Sequence, residues 1–235
     1  MSTPDLHLKT LFVLNDEGRI LLAREPGTNR GPLFSLVRNA TSCVWAVRAD
    51  VPPNIASEID RLAAEEPHVS DFRDTPVHAE RYVSLLSRTH LAKNSGATIR
   101  QSAGPAFEFP DEIEQPADVV VVDDERALHQ NFRGWVAGEI AAGRAPVMSV
   151  FKDGYPVSIC FCARSSDIAA EAGVETVEAF RGLGFARRVT AAWALAIRAS
   201  GRIPLYSTSW TNNASLAVAR RLGLMVYASG WSVSD

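Results

Sequence analysis

The stretch at residues 176–186, TVEAFRGLGFA, constrains the fold of this chain more than any other, because it joins a predicted strand to a predicted helix. Before it, residues 168–177 alternate small or apolar side chains with glutamates, which is typical of a strand. After it, apolar residues recur at helical spacing between residues 189 and 200. Two glycines at the joint allow a sharp turn and a close approach to a ligand. The free N–H groups that open the helix favour an anion, so the joint predicts a diphosphate site.

A dinucleotide-binding loop is one alternative for such a site. That fingerprint needs G-x-G-x-x-G and an acidic residue about 20 positions further along the chain. Here Gly182 and Gly184 are followed by Arg187 where the third glycine belongs, and no predicted strand after residue 199 ends in Asp or Glu. The sequence therefore disfavours a dinucleotide site, and a plain glycine-containing turn is the remaining structural alternative.

The loop itself resembles a known phosphate loop. Arg181-x-x-Gly184-x-Ala186 is similar to the R/Q-x-x-G-x-G/A loop of the GNAT N-acetyltransferases, which holds the pyrophosphate of acetyl-coenzyme A on backbone amides. The resemblance implies an α/β protein of the α+β type, with the GNAT fold and its mixed, mainly antiparallel central sheet. It also implies acetyl-coenzyme A as co-substrate.

The resemblance continues after the loop and covers about the last half of the chain. Residues 204–210 look like the family's next strand, and Asn212-x-x-Ser215 looks like the head of its next helix, which ends at residues 221–224. The family pattern implies that these residues contact the cofactor: Thr176, Val177, Glu178, Arg181, Gly182, Gly184, Phe185, Ala186, Arg187, Asn212 and Ser215. In the family, strand N–H groups that correspond to residues 176–178 also meet the oxyanion of the reacting thioester.

Two positions depart from the common family pattern at the end of the strand. Thr176 stands where the family usually has Val, and Glu178 stands where it usually has Pro. The resulting T-x-E-x-F-R-G variant is similar to the subgroup that includes zwittermicin A resistance acetyltransferases. We carry no substrate over from that likeness.

Two glutamates are candidates for the general base that the family chemistry needs. A lysine-like amine has a pKa of about 10.4, so its proton must be removed before or during attack on a thioester. Glu171 and Glu175 lie on the strand before the loop and share a parity, which predicts that they share a face of the sheet. Each also has an alternative as a solvated strand residue.

The general acid of the family is missing here. Many GNAT enzymes protonate the departing thiolate with a Tyr seven residues after the Asn, and that position is Ala219. Ser215, Tyr206 or a water molecule are the substitutes that the sequence offers. A thiol with a pKa of about 8.5 also leaves tolerably well without a dedicated acid.

Composition excludes several other classes. The chain has 235 residues and a formal net charge of −3 at pH 7, which argues against a nucleic-acid partner. No apolar stretch follows a basic start and no apolar run approaches the length of a membrane span, so neither a signal peptide nor a membrane segment is predicted. The small number of cysteines is typical of a protein in a reducing, cytoplasmic setting. No metal site is predicted, because the candidate cysteine and histidine ligands lack the spacing of a metal site: Cys43, Cys160, Cys162, His68, His78 and His90.

The N-terminal part, residues 1–110, is predicted as a small α+β region of unknown role. Residues 7–24 suggest a hairpin, residues 33–37 and 43–47 two strands, and residues 54–66 a helix. A second helix is predicted to begin at Thr75-Pro76, with Thr75 as its cap.

Residues 102–118, rich in Pro, Gly and acidic side chains, are the candidate boundary before a GNAT acetyltransferase domain at residues 117–235. Phe107 and Phe109 in this segment are expected to be buried, since leaving each in water costs about 1.5–3 kcal/mol.

The beginning of the second region is predicted from patterning. Residues 119–122 suggest a short buried strand, and Asp123 or Asp124 is expected to cap a helix that runs to Ile140. Residues 146–151 and 155–163 suggest a hairpin around Lys152-Asp153-Gly154.

The sequence therefore predicts an acetyl-coenzyme A-dependent N-acetyltransferase that acts on the primary amine of a small molecule by direct attack on the thioester. A non-catalytic acyl-coenzyme A-binding sensor or scaffold is one alternative, and acetylation of a peptide or protein amine is another. The acceptor, the preferred acyl chain and the oligomeric state stay open.

Overall fold

The computed structural model describes residues 2–27, 29–89 and 98–235. The strands are β1 Phe12–Leu14, β2 Ile20–Ala23, β3 Phe34–Arg38, β4 Cys43–Val47, β5 Arg100–Glu108, β6 Val120–Val121, β7 Met148–Lys152, β8 Tyr155–Ser165, β9 Ala169–Thr176, β10 Ile203–Ser207 and β11 Met225–Ser234. The helices are α1 Pro4–Leu11, α2 Pro53–Ala64, α3 Ala79–Ser87, α4 Phe185–Ala199 and α5 Asn213–Arg221. His90 lies outside the described residues.

A nine-stranded sheet in the order β4-β3-β11-β5-β10-β9-β8-β7-β6 forms the centre of the molecule, with β1 and β2 as a separate hairpin. Its neighbouring strands are antiparallel except for β9 and β10, which are parallel. This mixed, mainly antiparallel sheet confirms the predicted fold class.

Helix α4 covers one face of the sheet, as its periodicity predicts. Val189, Trp193 and Ile197 recur at helical spacing and are fully buried against β8 and β9. Each such side chain stabilises the packing by about 1.5–3 kcal/mol. The buried stripe sets the position of the first turn of α4, which the functional site uses.

The hairpin predicted at residues 7–24 is only partly correct. Residues 8–11 belong to α1, because the Thr3 side chain accepts a hydrogen bond from the Leu6 N–H at 3.1 Å and Pro4 suits the first helical position. The hairpin is therefore shortened to β1 and β2. Helix α1 packs on the face of the sheet opposite to α4.

The predicted boundary segment at residues 102–118 begins as part of β5, which pairs with β11 on one side and with β10 on the other. Phe107 and Phe109 are each 6 % exposed, which confirms that they are buried. One sheet thus passes through both predicted regions. The division at residues 110–117 stays a prediction about how the chain is organised.

Three other predictions were wrong: the start of α3, the burial of β6 and the continuous helix after Asp124. The helix predicted at Thr75-Pro76 begins at Ala79, without a side-chain cap. The strand at residues 119–122 was predicted to be buried, but Val120 and Val121 are each 51 % exposed, since β6 is an edge strand.

The helix predicted after Asp124 is broken. Asp124 caps only a 3-10 turn, Glu125–Ala127, and a short helical segment follows at Ile140–Arg144. The Glu125 carboxylate accepts hydrogen bonds from the N–H groups of Gly138 and Ile140, each at 2.6 Å, and so folds the segment back on itself. Within the ranges given above, no helix has both the length and the apolar character needed to cross a bilayer.

Candidate functional site

A gap in the central sheet creates the candidate site. The parallel strands β9 and β10 pair only from Ile203↔Ala169 to Leu205↔Glu171. Beyond that point β9 stays paired with β8, while the end of β10 stays paired with β5. The two strands therefore separate, and backbone groups along one edge of β9 lose their sheet partner.

The hydrogen-bond pattern identifies which groups of β9 face the gap. The Val177 N–H donates to the Val157 carbonyl at 2.9 Å, so this amide points towards β8. Because orientation alternates along an antiparallel strand, the N–H groups of Val174 and Thr176 point into the gap. The Thr176 carbonyl agrees with this orientation, since it accepts a hydrogen bond from Arg181 Nε at 3.3 Å. Of the predicted amide donors, Val177 is thus engaged within the sheet.

The loop after β9 ends in a left-handed glycine that starts α4. Gly182 and Gly184 have φ angles of 79° and 80°, which side chains rarely tolerate, and Gly184 is the N-cap of α4. The first hydrogen bond of the helix runs from the Arg188 N–H to the Gly184 carbonyl. The N–H groups of residues 185–187 therefore have no partner within the helix, and they present its positive dipole end to the cleft.

The gap and the loop open into one cleft of about 780 Å³. It is lined by every residue predicted to contact the cofactor: Thr176, Val177, Glu178, Arg181, Gly182, Gly184, Phe185, Ala186, Arg187, Asn212 and Ser215. The structure thus brings the predicted set together on one surface.

Other lining residues were not predicted as cofactor contacts. Asn131 and Phe132 come from the irregular segment before β7, which carries no motif. Arg221 is the last residue of α5, at the opposite end of the helix from Asn212. With Arg181 and Arg187 it places three arginines around the cleft. Arg188 instead binds Asp118 at 2.6 Å.

Asn212 is the N-cap of α5. Its Oδ1 accepts a hydrogen bond from the Ser215 N–H at 3.1 Å. The Tyr206 hydroxyl donates to the Ser215 carbonyl at 3.3 Å, and burial raises the pKa of this phenol to about 12. Ala219 is fully buried and carries no hydroxyl group. Tyr206 and Ser215 line this side of the cleft, and both carry one.

The two candidate bases reach different surroundings. Glu175 lines the cleft, and burial raises the pKa of its carboxyl; nearby Glu139 adds to that effect, while Arg144 opposes it. The two neighbours form an ion pair at 3.2 Å. Of the two candidate bases, Glu175 is therefore the one that lines the 780 Å³ cleft.

Glu171 is 2 % exposed and lies outside that cleft. Its carboxylate accepts hydrogen bonds from Arg164 Nη1 at 2.9 Å and from the Ser207 hydroxyl. Burial alone would raise its pKa, but Arg164, His7 and Ser207 together hold the pKa of Glu171 below its ordinary value. Glu171 is therefore an ionised, buried carboxylate at neutral pH.

A sheet opened between two parallel strands, with a glycine loop and a helix amino terminus at the gap, is an arrangement that suits a phosphate-bearing ligand. Residues 137–228 match the family described as GNAT acetyltransferase. This part of the chain is therefore similar to the GNAT acetyltransferase family. No curated protein matches the chain.

Two solved structures share the fold at low sequence identity. A GCN5-related N-acetyltransferase-like protein from Streptococcus suis is 17% identical, with 87% of this chain and 85% of that chain covered and a TM-score of 0.50. A conserved protein of unknown function from Staphylococcus epidermidis is 11% identical over 99% and 96% of the two chains, with a TM-score of 0.51. A GCN5-related N-acetyltransferase from Kribbella flavida is 18% identical, with 62% of this chain and 63% of that chain covered and a TM-score of 0.44.

Proposed function

We propose that this protein is an acetyl-coenzyme A-dependent N-acetyltransferase that acts on the primary amine of a small molecule. The observation that carries the proposal is the gap between β9 and β10, which opens beside the glycine loop and the amino terminus of α4. Acetyl transfer is the activity of the matched family. The amine acceptor is our extension of that activity.

The cleft fits acetyl-coenzyme A in its charge and in its shape. Free N–H groups at residues 185–187 suit a pyrophosphate, and Arg181, Arg187 and Arg221 add positive charge. At Gly182 and Gly184 no atom lies within 4 Å of where a Cβ would stand, so a ligand can approach the backbone there. The open edge of β9 suits the amide-bearing arm of the ligand, which can pair like a strand.

The chain's own groups suit the transfer step. The bound ligand supplies an acetyl thioester. The N–H groups of Val174 and Thr176 point into the gap, where they can donate to the oxyanion that forms on the acetyl carbonyl. Glu171 and Glu175 are the candidate proton acceptors on β9. Tyr206 and Ser215 line the cleft and are the candidates to protonate the departing thiolate.

Tyr206→Phe tests the general acid. We expect the variant to lower kcat by about 10-fold, because a leaving thiolate of pKa about 8.5 gains only modestly from protonation. The dissociation constant for acetyl-coenzyme A is expected to stay within about 2-fold, since binding relies on the backbone loop. Coenzyme A release with a thiol reagent gives kcat, and calorimetry gives affinity. A loss of kcat in Ser215→Ala but not in Tyr206→Phe would assign the acid to Ser215.

Fully buried Ala219 favours a second candidate function, a non-catalytic acyl-coenzyme A-binding sensor or scaffold. Acetylation of a peptide or protein amine is a further variant of the catalytic proposal. The likeness of T-x-E-x-F-R-G to the zwittermicin A resistance subgroup stays a prediction, and so does a cytoplasmic location.

The deciding experiment measures coenzyme A release by the purified protein with acetyl-coenzyme A and a panel of primary amines, beside calorimetric titration with acetyl-coenzyme A. Binding with amine-dependent release supports the enzyme. Binding without release favours the sensor, provided that Glu171→Gln and Glu175→Gln leave the slow thioester hydrolysis unchanged. No binding by folded protein overturns both functions.

A further inference from the structure

The buried residue Glu171 lies at the point where β9 and β10 separate, which we call the fork. Its backbone pairs with Arg164 of β8 on one side and with Leu205 of β10 on the other. The pair with Leu205 is the last one between the two parallel strands, so the gap begins directly after Glu171. A side chain that connects the strands here can set how far apart they lie where the gap begins.

The carboxylate of Glu171 makes such a connection. Its Oε1 accepts a hydrogen bond from the hydroxyl of Ser207, which lies two residues beyond Leu205 on β10. Its Oε2 accepts a hydrogen bond from Arg164 Nη1 at 2.9 Å. One carboxylate therefore joins β8, β9 and β10 at a place where the backbone pairing between β9 and β10 has ended.

The N-terminal region covers the fork on the face of the sheet opposite to α4. Helix α1 packs against β8 and β9 there. The Glu25 carboxylate, which follows β2, lies 3.6 Å from Arg164 Nη2. Arg164 thus faces both Glu25 of the N-terminal region and Glu171 of the fork, which connects the N-terminal region to the start of the gap.

Glu171 is separated from Glu175 along β9. Four residues of extended strand span about 13 Å. Gly173 lies midway, and a Cβ there would stand 2.6 Å from the ring of Phe161, so this ring fills the space between the two glutamates. Phe161 is itself buried. Access to Glu175 from the 780 Å³ cleft therefore gives no access to Glu171.

The surroundings of Glu171 do not suit exchange of a proton with a substrate. Among the described residues that line the 780 Å³ cleft, or a cleft of about 680 Å³ on the face that α1 covers, Glu171 is in neither set. Burial raises the pKa of Glu171, but its partners lower it by more, to below the ordinary value. A general base needs contact with the proton that it removes, and it works best with a pKa near the working pH.

We propose that Glu171 is a positioning residue that holds the fork, and that it does not take a proton from the acceptor. By fixing Ser207, it fixes the neighbouring Tyr206, which lines the cleft, relative to the N–H groups of Val174 and Thr176. Its effect on catalysis rests on the acetyltransferase function proposed above, whereas its effect on the strands does not. Glu175 then remains as the candidate proton acceptor on β9.

Glu171→Gln separates the two roles. Gln can accept from Arg164 through its oxygen and donate to Ser207 Oγ through its amide, because a hydroxyl both donates and accepts. We expect kcat within about 3-fold of the parent and an unchanged pH profile of coenzyme A release. Loss of a general base costs at least about 100-fold. A fall of that size in Glu171→Gln would overturn the inference.

Glu171→Met removes both hydrogen bonds while keeping the length of the side chain. We expect kcat to fall by about 10-fold and the dissociation constant for acetyl-coenzyme A to rise by about 10-fold, because the groups around the gap lose their fixed spacing. Glu25→Met removes the more distant partner of the same arginine and is expected to change both values by less than about 2-fold. A folded Glu171→Met with the parent's kcat and affinity would limit Glu171 to a role in stability.

The fork is also tested from the other strand. Ser207→Ala removes the hydrogen bond that crosses the fork and is expected to resemble Glu171→Met, whereas Ser207→Thr keeps a hydroxyl and should recover part of kcat. The double variant Glu171→Met/Ser207→Ala should lose no more than the worse single variant, since both changes remove one contact. Additive losses would show that the two residues act separately, against the inference.

Hydrogen exchange of the ligand-free protein keeps this inference distinct from the proposed function. Followed by mass spectrometry, the peptide that covers residues 203–209 should exchange faster in Glu171→Met and Ser207→Ala than in the parent and in Glu171→Gln. If the parent neither binds acetyl-coenzyme A nor releases coenzyme A, the proposed function fails, and the exchange rates still decide whether Glu171 holds the fork. Equal exchange in the parent and in Glu171→Met would overturn the inference even in an active enzyme.

Discussion

Gly184→Asp is expected to weaken acetyl-coenzyme A binding by at least about 100-fold, because the new carboxylate occupies the anion site itself. Gly184 is the N-cap of α4, and an Asp at an N-cap accepts hydrogen bonds from the N–H groups that follow. These are the groups at residues 185–187 that the pyrophosphate would use. Like charges brought together in a cleft cost several kcal/mol, and each 1.4 kcal/mol is a factor of about 10 in affinity.

Gly184→Asn is the matched control for charge. Asn has nearly the shape of Asp and tolerates the left-handed φ of 80° about as well, but it carries no charge. We expect Asn to weaken binding much less than Asp does. Calorimetric titration with acetyl-coenzyme A measures both, and circular dichroism checks that both are folded. Equal affinities for Asp and Asn would show that charge at this N-cap does not meet the ligand.

Arg38→Met is expected to lower the free energy of unfolding by about 3–5 kcal/mol, because it leaves a buried carboxylate without its cation. The side chains of Arg38 and Glu66 are 3 % and 0 % exposed, and they form an ion pair at 3.2 Å. Arg38 also donates to the Asp74 carbonyl at 2.7 Å. Glu66 accepts further hydrogen bonds from the Val77 N–H at 2.9 Å and from the Tyr82 hydroxyl at 3.1 Å.

Glu66→Gln in the same chain is the rescue variant for Arg38→Met. Gln keeps an oxygen for the donors around Glu66 but removes the uncompensated charge, so the double variant should be more stable than Arg38→Met alone. Arg61→Met, at the exposed pair Arg61–Glu58, is the surface control and is expected to change stability little. Denaturant unfolding followed by circular dichroism measures each. If Arg38→Met and Arg61→Met were equally stable, the buried pair would contribute no more than the surface pair.

The candidate cofactor cleft was largely predictable because most of its parts are short segments with local sequence signals. The left-handed glycines, the free N–H groups of α4 and the cap at Asn212 are properties of short segments. Their gathering in one cleft follows once the two parallel strands separate. Their role in binding acetyl-coenzyme A stays a prediction until the titration is made.

The candidate bases show where prediction from the sequence stopped. Strand parity correctly indicated that Glu171 and Glu175 share a face of the sheet. It did not indicate that Glu175 lines the first cleft while Glu171 binds Arg164 and Ser207. Those partners come from β8 and β10, and His7, which also helps to lower the pKa of Glu171, comes from α1. No local pattern encodes such contacts.

By itself the sequence determined the strand–loop–helix unit at residues 168–199, the Asn-headed helix after it and most of the strands, because hydrophobic periodicity, glycine φ preferences and helix capping act within a few residues. Only the tertiary structure decided that β3 and β4 extend the same sheet through β11, and that β9 and β10 separate after Leu205↔Glu171. Strand pairing over long separations depends on which buried faces fit together, and that fit is a property of the assembled core.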